Sequence, residues 1–465
     1  MRYESTRGSG GTRGFSDVLL EGLAPDGGLY VPVELPLLNE AALRSFAGQS
    51  FAEVATQVML PYVTPDYEPD EFAALVERSY ENFDHPDVAP LRVLNQATGE
   101  WLLELFWGPT LAFKDVALQL LGNLFERELT AKSREVTIIG ATSGDTGSAA
   151  IEAMRGREGI QLFMLHPRGR VSEIQRLQMT TVDAPNIYNL AIEGTFDDCQ
   201  DLVKAMFADT EFRERHTLSA VNSINWARVM AQTVYYVTAA VGLGAPSSPV
   251  AFSVPTGNFG NIYAGHIARE MGVPISQLIL ATNVNDILTR AFETGSLQLS
   301  DVIATASPAM DIQVSSNFER LLFELLGRDG PALSALMERF RLLGHIELTP
   351  DVLEAFQELF DAMSLDDEAT SHVIAEVYDQ AGVILDPHTA VGVGVGRAVR
   401  ADPEVPLVML ACAHAAKFPE TVEGALGERP LQPNRLQALA GLPERIDVLP
   451  NDLEAVQAFI DERRS

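Results

Sequence analysis

Short apolar runs alternating with helical stretches constrain this chain more than any other feature. Val136-Thr137-Ile138-Ile139 is a β-branched run ending at Gly140, followed by a Gly-rich turn and a helical stretch from Ser148 to Met154. Leu162 to Leu165, Ile187 to Ile192, Val250 to Val254, Leu278-Ile279-Leu280 and Leu407 to Leu410 repeat the theme. Helical segments near Ser172 to Met179, Asp197 to Phe207 and Ile262 to Met271 lie among them. A strand that is apolar on both faces must be covered on both. The pattern therefore predicts an α/β fold of open, mostly parallel sheets flanked by helices. Ligands of such sheets sit outside the carboxyl ends of the strands, so the loops after Ile139, Val254 and Leu410 are the places to look for chemistry.

Two earlier regions read differently. From about Ala41 to Asp84 the pattern is helical, with Phe51, Val54, Ala55 and Val58 on one face, then Phe72, Leu75 and Val76. Val88 to Leu105 carries short apolar runs around the turn Gln96-Ala97-Thr98-Gly99 and reads as a hairpin-like pair. A chain of 465 residues is too long for one small core. The expected division is a mainly helical unit over 1–95, an α/β unit over 96–250 and a second α/β unit over 251–465.

Charge narrows the partners. With 64 acidic against 33 basic side chains the formal net charge is −31. Such a surface repels phosphate backbones and anionic lipid, so neither nucleic acid nor membrane is expected as a partner. An anionic small molecule would need a pocket that gathers positive charge against this field. The two cysteines, Cys199 and Cys412, make neither a disulfide framework nor a zinc spacing and suit a reducing compartment. The polar, Gly-rich N-terminus is unlike a signal peptide, and the apolar stretch Val234 to Val254 is broken by Gly, Pro and Ser. These features predict a cytoplasmic protein. The eight histidines show no metal-ligand spacing, and no metal is assigned.

Three segments carry chemistry. Pro255-Thr256-Gly257-Asn258-Phe259-Gly260-Asn261 joins a strand to a helix; its two glycines let successive N–H groups converge on an anion, although glycine and asparagine also favour an ordinary turn. It lacks the Gly-Lys-Ser/Thr ending of a nucleotide loop. Ala141-Thr142-Ser143-Gly144-Asp145-Thr146-Gly147 opens another helix, where hydroxyls and free amides form either a carboxylate cradle or a plain N-cap cluster. Gly108-Pro109-Thr110-Leu111-Ala112-Phe113-Lys114-Asp115 precedes an apolar helical run, Val116 to Phe125. Lys114 then sits in a first turn, where the helix dipole disfavours its ammonium form and leaves a nucleophilic amine; the alternative is a surface lysine paired with Asp115.

In order and character these segments resemble the pyridoxal-phosphate fold of the tryptophan synthase β chain and its relatives, called fold-type II. Within that group the sequence is similar to the threonine synthase family. The similarity is carried by Pro25 to Pro32, Gly108 to Asp115, Thr142 to Gly147, Gly194 to Cys199, Ser223-Ile224-Asn225, Pro255 to Asn261, Asp311 to Arg320 and Ala413 to Phe418. The resemblance implies pyridoxal 5'-phosphate as cofactor and Lys114 as its Schiff-base lysine. It implies cofactor contacts from Asp145, Gly257, Asn258, Phe259, Gly260, Asn261 and Cys412, and substrate contacts from Thr142, Ser143, Gly144 and Thr146. Asn317, Arg320 and Lys417 are candidates for the substrate phosphate, since arginine grips phosphate bidentately; the other reading of Arg320 is a helix arginine salt-bridged beside Glu319.

One position departs from the family. Its usual threonine near the last strand, expected to meet the pyridine nitrogen, is Cys412 here, and the following proline is Ala415. A thiol is a weaker donor of similar size. Gly392, Gly394 and Gly396 follow Asp386-Pro387-His388 rather than a clear strand and are read as close helix packing. The implied reaction is O-phospho-L-homoserine plus water to L-threonine plus phosphate, by β,γ-elimination and replacement, in a monomer or homodimer. The alternatives are another lyase of this fold, such as a threonine dehydratase or an amino-phosphate phospholyase, and a non-catalytic binding protein.

Overall fold

Both sheets grow from the apolar runs. The computed structural model describes residues 1–221 and 223–464. A six-stranded sheet has the order Asp361–Ser364, Ile275–Thr282, Val250–Pro255, Leu407–Ala411, Glu100–Glu104, Leu91–Asn95. Its neighbours are parallel except the last pair, the hairpin around Gln96 to Gly99. A five-stranded, wholly parallel sheet has the order Asp447–Pro450, Ile187–Glu193, Ile160–Pro167, Val136–Ala141, Leu218–Ser219. Every residue of Val250–Pro255 and of Leu407–Ala411 is buried, as strands covered on both faces must be.

Asp361–Ser364, Leu218–Ser219 and Asp447–Pro450 carry no apolar run in the sequence. Each is a short edge strand, so at least one side needs no cover. The sheets also cross the expected unit boundaries. The hairpin 91–104 and the strand Leu407–Ala411 lie in one sheet with 250–282, while the C-terminal Asp447–Pro450 returns to the sheet of 136–193. Parallel pairing depends on crossovers rather than chain continuity, and this is where a contiguous division departs from the structure.

The N-terminal region is built of Glu40–Ser45, Phe51–Val63 and Pro69–Tyr80, beside a two-stranded ribbon of Tyr3–Ser5 and Tyr30–Pro32. Ser50 and Glu53 close a capping box on the second helix, satisfying amides that have no partner within it. Phe51, Val54, Ala55, Val58, Phe72, Leu75 and Val76 are all buried. Phe51–Val63 packs on the helix Trp226–Gly242 and Pro69–Tyr80 on the helix Lys114–Lys132; the Trp226 ring meets Tyr3 and Tyr62 at centroid distances of 6.2 and 5.9 Å. The helix Pro387–Val399 lies on the six-stranded sheet, and its glycines let it approach closely. A Cβ on Gly396 would come within 2.9 Å of Ser253 Cβ, and one on Gly392 within 2.9 Å of Pro255 Cγ.

Candidate active site

Lys114 is the first residue of the helix Lys114–Lys132. The segment before it is tied across the carboxyl end of Leu407–Ala411: Phe113 N–H donates to the Cys412 carbonyl at 2.7 Å, and His414 N–H to that of Leu111 at 3.0 Å. That strand neighbours Val250–Pro255, so Lys114 and the loop from Thr256 to Asn261 share one end of one sheet.

The amine is buried, with Nζ 4.5 Å from the Phe113 ring centre and 3.6 Å from Asp145 Oδ2. Asp115, the partner in the surface-lysine reading, instead accepts from the Thr110 N–H and hydroxyl at 2.8 and 2.7 Å. Burial lowers the Lys114 pKa; Asp145 opposes this, while Lys417 and Arg228 add to it. The amine is therefore biased toward the neutral, nucleophilic form. Asp145 remains ionised despite its burial, because Lys417 and Lys114 hold its pKa well below the usual carboxylate range.

The two Gly-rich segments behave differently in detail. Thr142 is buried, and its hydroxyl oxygen accepts the N–H groups of Gly144 and Gly147 at 3.0 and 2.8 Å. It shapes the cradle from within, whereas Ser143 is exposed and Thr146 half-buried at the start of Asp145–Met154. Gly144 has φ +153°, and a Cβ there would fall 2.3 Å from the Gln175 side chain. Gln175 Nε2 in turn donates to Asp145 Oδ1 at 2.9 Å. This contact is absent from the sequence expectations; only the helical register of Ser172 to Met179 hinted that some side chain would face the cradle.

In the other loop Phe259 buries its ring among Phe318, Phe360 and Tyr263, so its side chain anchors the loop and its backbone is left for a ligand. Its left-handed φ of 63° turns the chain into the helix Gly260–Glu270. Asn261 Oδ1 accepts from the Tyr235 and Tyr236 hydroxyls, while its Nδ2 is buried without a partner among the described residues. A buried orphan donor at a helix N-terminus fits an anion.

Three expected phosphate contacts are occupied elsewhere. Arg320 is fully buried and donates through Nε to the Tyr30 carbonyl at 3.0 Å, through Nη2 to the Ile224 carbonyl and through Nη1 to Asn317 Oδ1. It is not paired with Glu319 either, which binds Arg7 and Thr6. Asn317 gives both its N–H and its Nδ2 to the Asn258 carbonyl, at 3.1 and 3.0 Å, and so braces the loop rather than presenting a free amide. Lys417 Nζ lies 2.8 Å from Asp145 Oδ1 and 2.7 Å from the Thr110 carbonyl, with no exposed surface. A lone Arg, Asn or Lys looks the same in sequence whether its donors meet a backbone or a ligand.

Cys412 is buried beside Lys114, and burial keeps its thiol protonated. Its N–H donates at 3.0 Å to the Thr389 hydroxyl, which donates to the buried Asp386. Sequence reasoning missed this Asp386-Thr389 support, although the N-cap of Pro387–Val399 announces it. A buried amine, an orphan amide donor, a Gly-rich helix start and a surplus of buried cations around Asp145 together suit a phosphorylated aldehyde. The residues fit pyridoxal phosphate.

Fold and site thus define a pyridoxal-phosphate-dependent enzyme of fold-type II, and residues 87–412 match the family described as pyridoxal-phosphate dependent enzyme. Residues 2–80 match the threonine synthase N terminus and 389–460 the C-terminal threonine synthase family. A threonine synthase of Pseudomonas aeruginosa is 53% identical over 99% of this chain and 98% of its own. The crystal structure of PLP-bound threonine synthase from Brucella melitensis superposes with a TM-score of 0.97 at 48% identity, covering 100% of this chain and 99% of that one. Yeast threonine synthase gives 0.94 at 40% identity, covering 100% and 98%. The chain belongs to the threonine synthase family.

Proposed function

We propose that this chain converts O-phospho-L-homoserine and water to L-threonine and inorganic phosphate, with Lys114 as the catalytic amine. The observation that carries the reading is the buried Lys114 amine, biased to its neutral form, with the uncapped starts of Asp145–Met154 and Gly260–Glu270 in the same site. Bound pyridoxal phosphate supplies the aldehyde that captures the substrate amine and the conjugated ring that takes up electrons as protons leave carbon.

The chain supplies the rest. The backbone of Gly257 to Asn261, with the unpartnered Nδ2 of Asn261, would hold the cofactor phosphate. Asp145 and Cys412 would lie beside the ring, where the thiol, kept neutral by burial, would be only a weak donor to the pyridine nitrogen. The exposed Ser143 hydroxyl, Thr146 and the amides opening Asp145–Met154 take the substrate carboxylate. As a free amine, Lys114 would be the base that accepts the substrate Cα proton, its burial favouring the neutral form. A Cβ proton and the Cγ phosphate then leave; water adds its hydroxyl at Cβ, of the two remaining protons one goes to Cγ and one to the departing phosphate, and Lys114 returns its proton to Cα. Burial of Lys114 keeps bulk water from competing for that proton.

Among the described residues no helix is long and apolar enough to cross a membrane. The buried, unpaired Cys199 and Cys412 support a reducing cytoplasm, and a monomer or homodimer suffices because the residues gathered at Lys114 come from one chain. The test incubates purified enzyme and cofactor with O-phospho-L-homoserine. Threonine and phosphate in equal amounts are expected; 2-oxobutyrate without threonine would overturn the reading.

A further inference from the structure

The Asp145 carboxylate is shared by two lysines. Oδ2 lies 3.6 Å from Lys114 Nζ, and Oδ1 lies 2.8 Å from Lys417 Nζ and 2.9 Å from Gln175 Nε2. Lys417 is the better placed of the two. It has no exposed surface, its contact is the shorter, and its second donor goes to the Thr110 carbonyl at 2.7 Å. Gln178 Nε2 reaches the same carbonyl at 2.9 Å, and Asp115 holds the other polar atoms of Thr110. Lys417 is therefore fixed from both ends, in a short helical turn, Ala415–Lys417, capped by His414.

A single carboxylate cannot fully neutralise two ammonium groups, and the nearer one takes the larger share. Removing the weaker partner's charge leaves a neutral Asp145–Lys417 pair, whereas removing Lys417 leaves a buried carboxylate facing Lys114 alone. We propose that Lys417 is a positioning residue for the reaction. It engages one oxygen of Asp145 so that the other can orient the Lys114 amine without binding it as a full ion pair. This deepens the reading of the same site and rests on Lys114 being its amine.

The groups facing Lys114 are Asp145, Lys417, Cys412 and Arg228; those facing Asp145 are the two lysines and His388. Lys417 also faces Asp115 and His414, and Cys412 is held as a neutral thiol by burial; the charge balance therefore turns on Asp145 and the two lysines, with Arg228 and Asp115 around them.

The experiment is a pH titration of the visible absorbance of the cofactor-loaded enzyme, in wild type, Lys417→Gln, Lys417→Arg and Asp145→Asn. An unshared carboxylate beside a protonated nitrogen raises its midpoint by about one pH unit or more. Lys417→Gln is expected to move the midpoint up by that amount and Asp145→Asn to move it down. Lys417→Arg, which keeps the charge on Asp145, is expected to return most of the wild-type value. Should Lys417→Gln be poorly folded, Lys417→Met removes the same charge and is expected to give the same upward shift, against the downward shift of Asp145→Asn. A Lys417→Gln midpoint equal to wild type, with KM for the phosphorylated substrate raised tenfold, would overturn the proposal and make Lys417 a substrate-phosphate ligand. Failure of wild-type enzyme to make threonine would leave these titrations interpretable, so the two readings fail separately.

Discussion

Replacing Arg320 by methionine separates a buried brace from a phosphate ligand. The guanidinium satisfies three acceptors, the carbonyls of Tyr30 and Ile224 and the side chain of Asn317, and lies 5.6 Å from the Trp226 ring. Methionine is nearly as long but donates nothing. Each orphaned buried acceptor costs about 1–3 kcal/mol. The gain from no longer desolvating a cation, whose pKa burial pushes down to about 10, offsets part of this. A net loss of about 3–5 kcal/mol follows. At about 2.1 cal/mol/K of unfolding entropy per residue, 465 residues change stability by roughly 1 kcal/mol per degree near the midpoint. Tm should therefore fall by about 3–5 °C if the chain melts as one unit. Cofactor retention on dialysis should fall as well, because Asn317 braces Asn258 in the Gly-rich loop. Circular dichroism melts alongside steady-state kinetics provide the assay. Unchanged Tm and cofactor content, with KM for the phosphorylated substrate up tenfold, would refute the reasoning.

Asp115 should leave a signature in acid. Burial raises its folded pKa to about 6, above the ordinary carboxylate value, so folding takes up a proton between about pH 4 and 6. The group thus opposes folding above pH 6 and ceases to do so as pH falls toward 4. At 1.36 kcal/mol per pKa unit the difference is about 2–3 kcal/mol, and it should vanish from urea-unfolding curves of Asp115→Asn compared with wild type across that range. The cysteines should be silent to thiol reagents: burial raises the Cys199 pKa to about 12 and keeps Cys412 neutral. Ellman's reagent is expected to find no fast thiol in the native enzyme and two after denaturation; a fast native thiol would contradict the burial.

The central strands were legible because burial on both faces leaves a continuous apolar run, as in Val250–Pro255 and Leu407–Ala411. Edge strands such as Asp361–Ser364 leave no such trace. The placement of Lys114 and of the two Gly-rich segments at helix starts was legible because backbone curvature needs glycine at fixed spacing and because the family motifs surround them. What Arg320, Asn317 and Lys417 touch was not legible. Tyr30, Ile224 and Asp145 lie far from them in the chain, and only the fold brings such donors and acceptors together. The same holds for Gln175 on Asp145 and for Thr389 behind Cys412.

Borohydride reduction of the cofactor-loaded enzyme, followed by peptide mapping, identifies the amine that carries the cofactor. One reduced pyridoxyl adduct is expected, on Lys114, with the buried Lys417 unmodified. An adduct on Lys417 or on any other side chain would contradict the role given to Lys114.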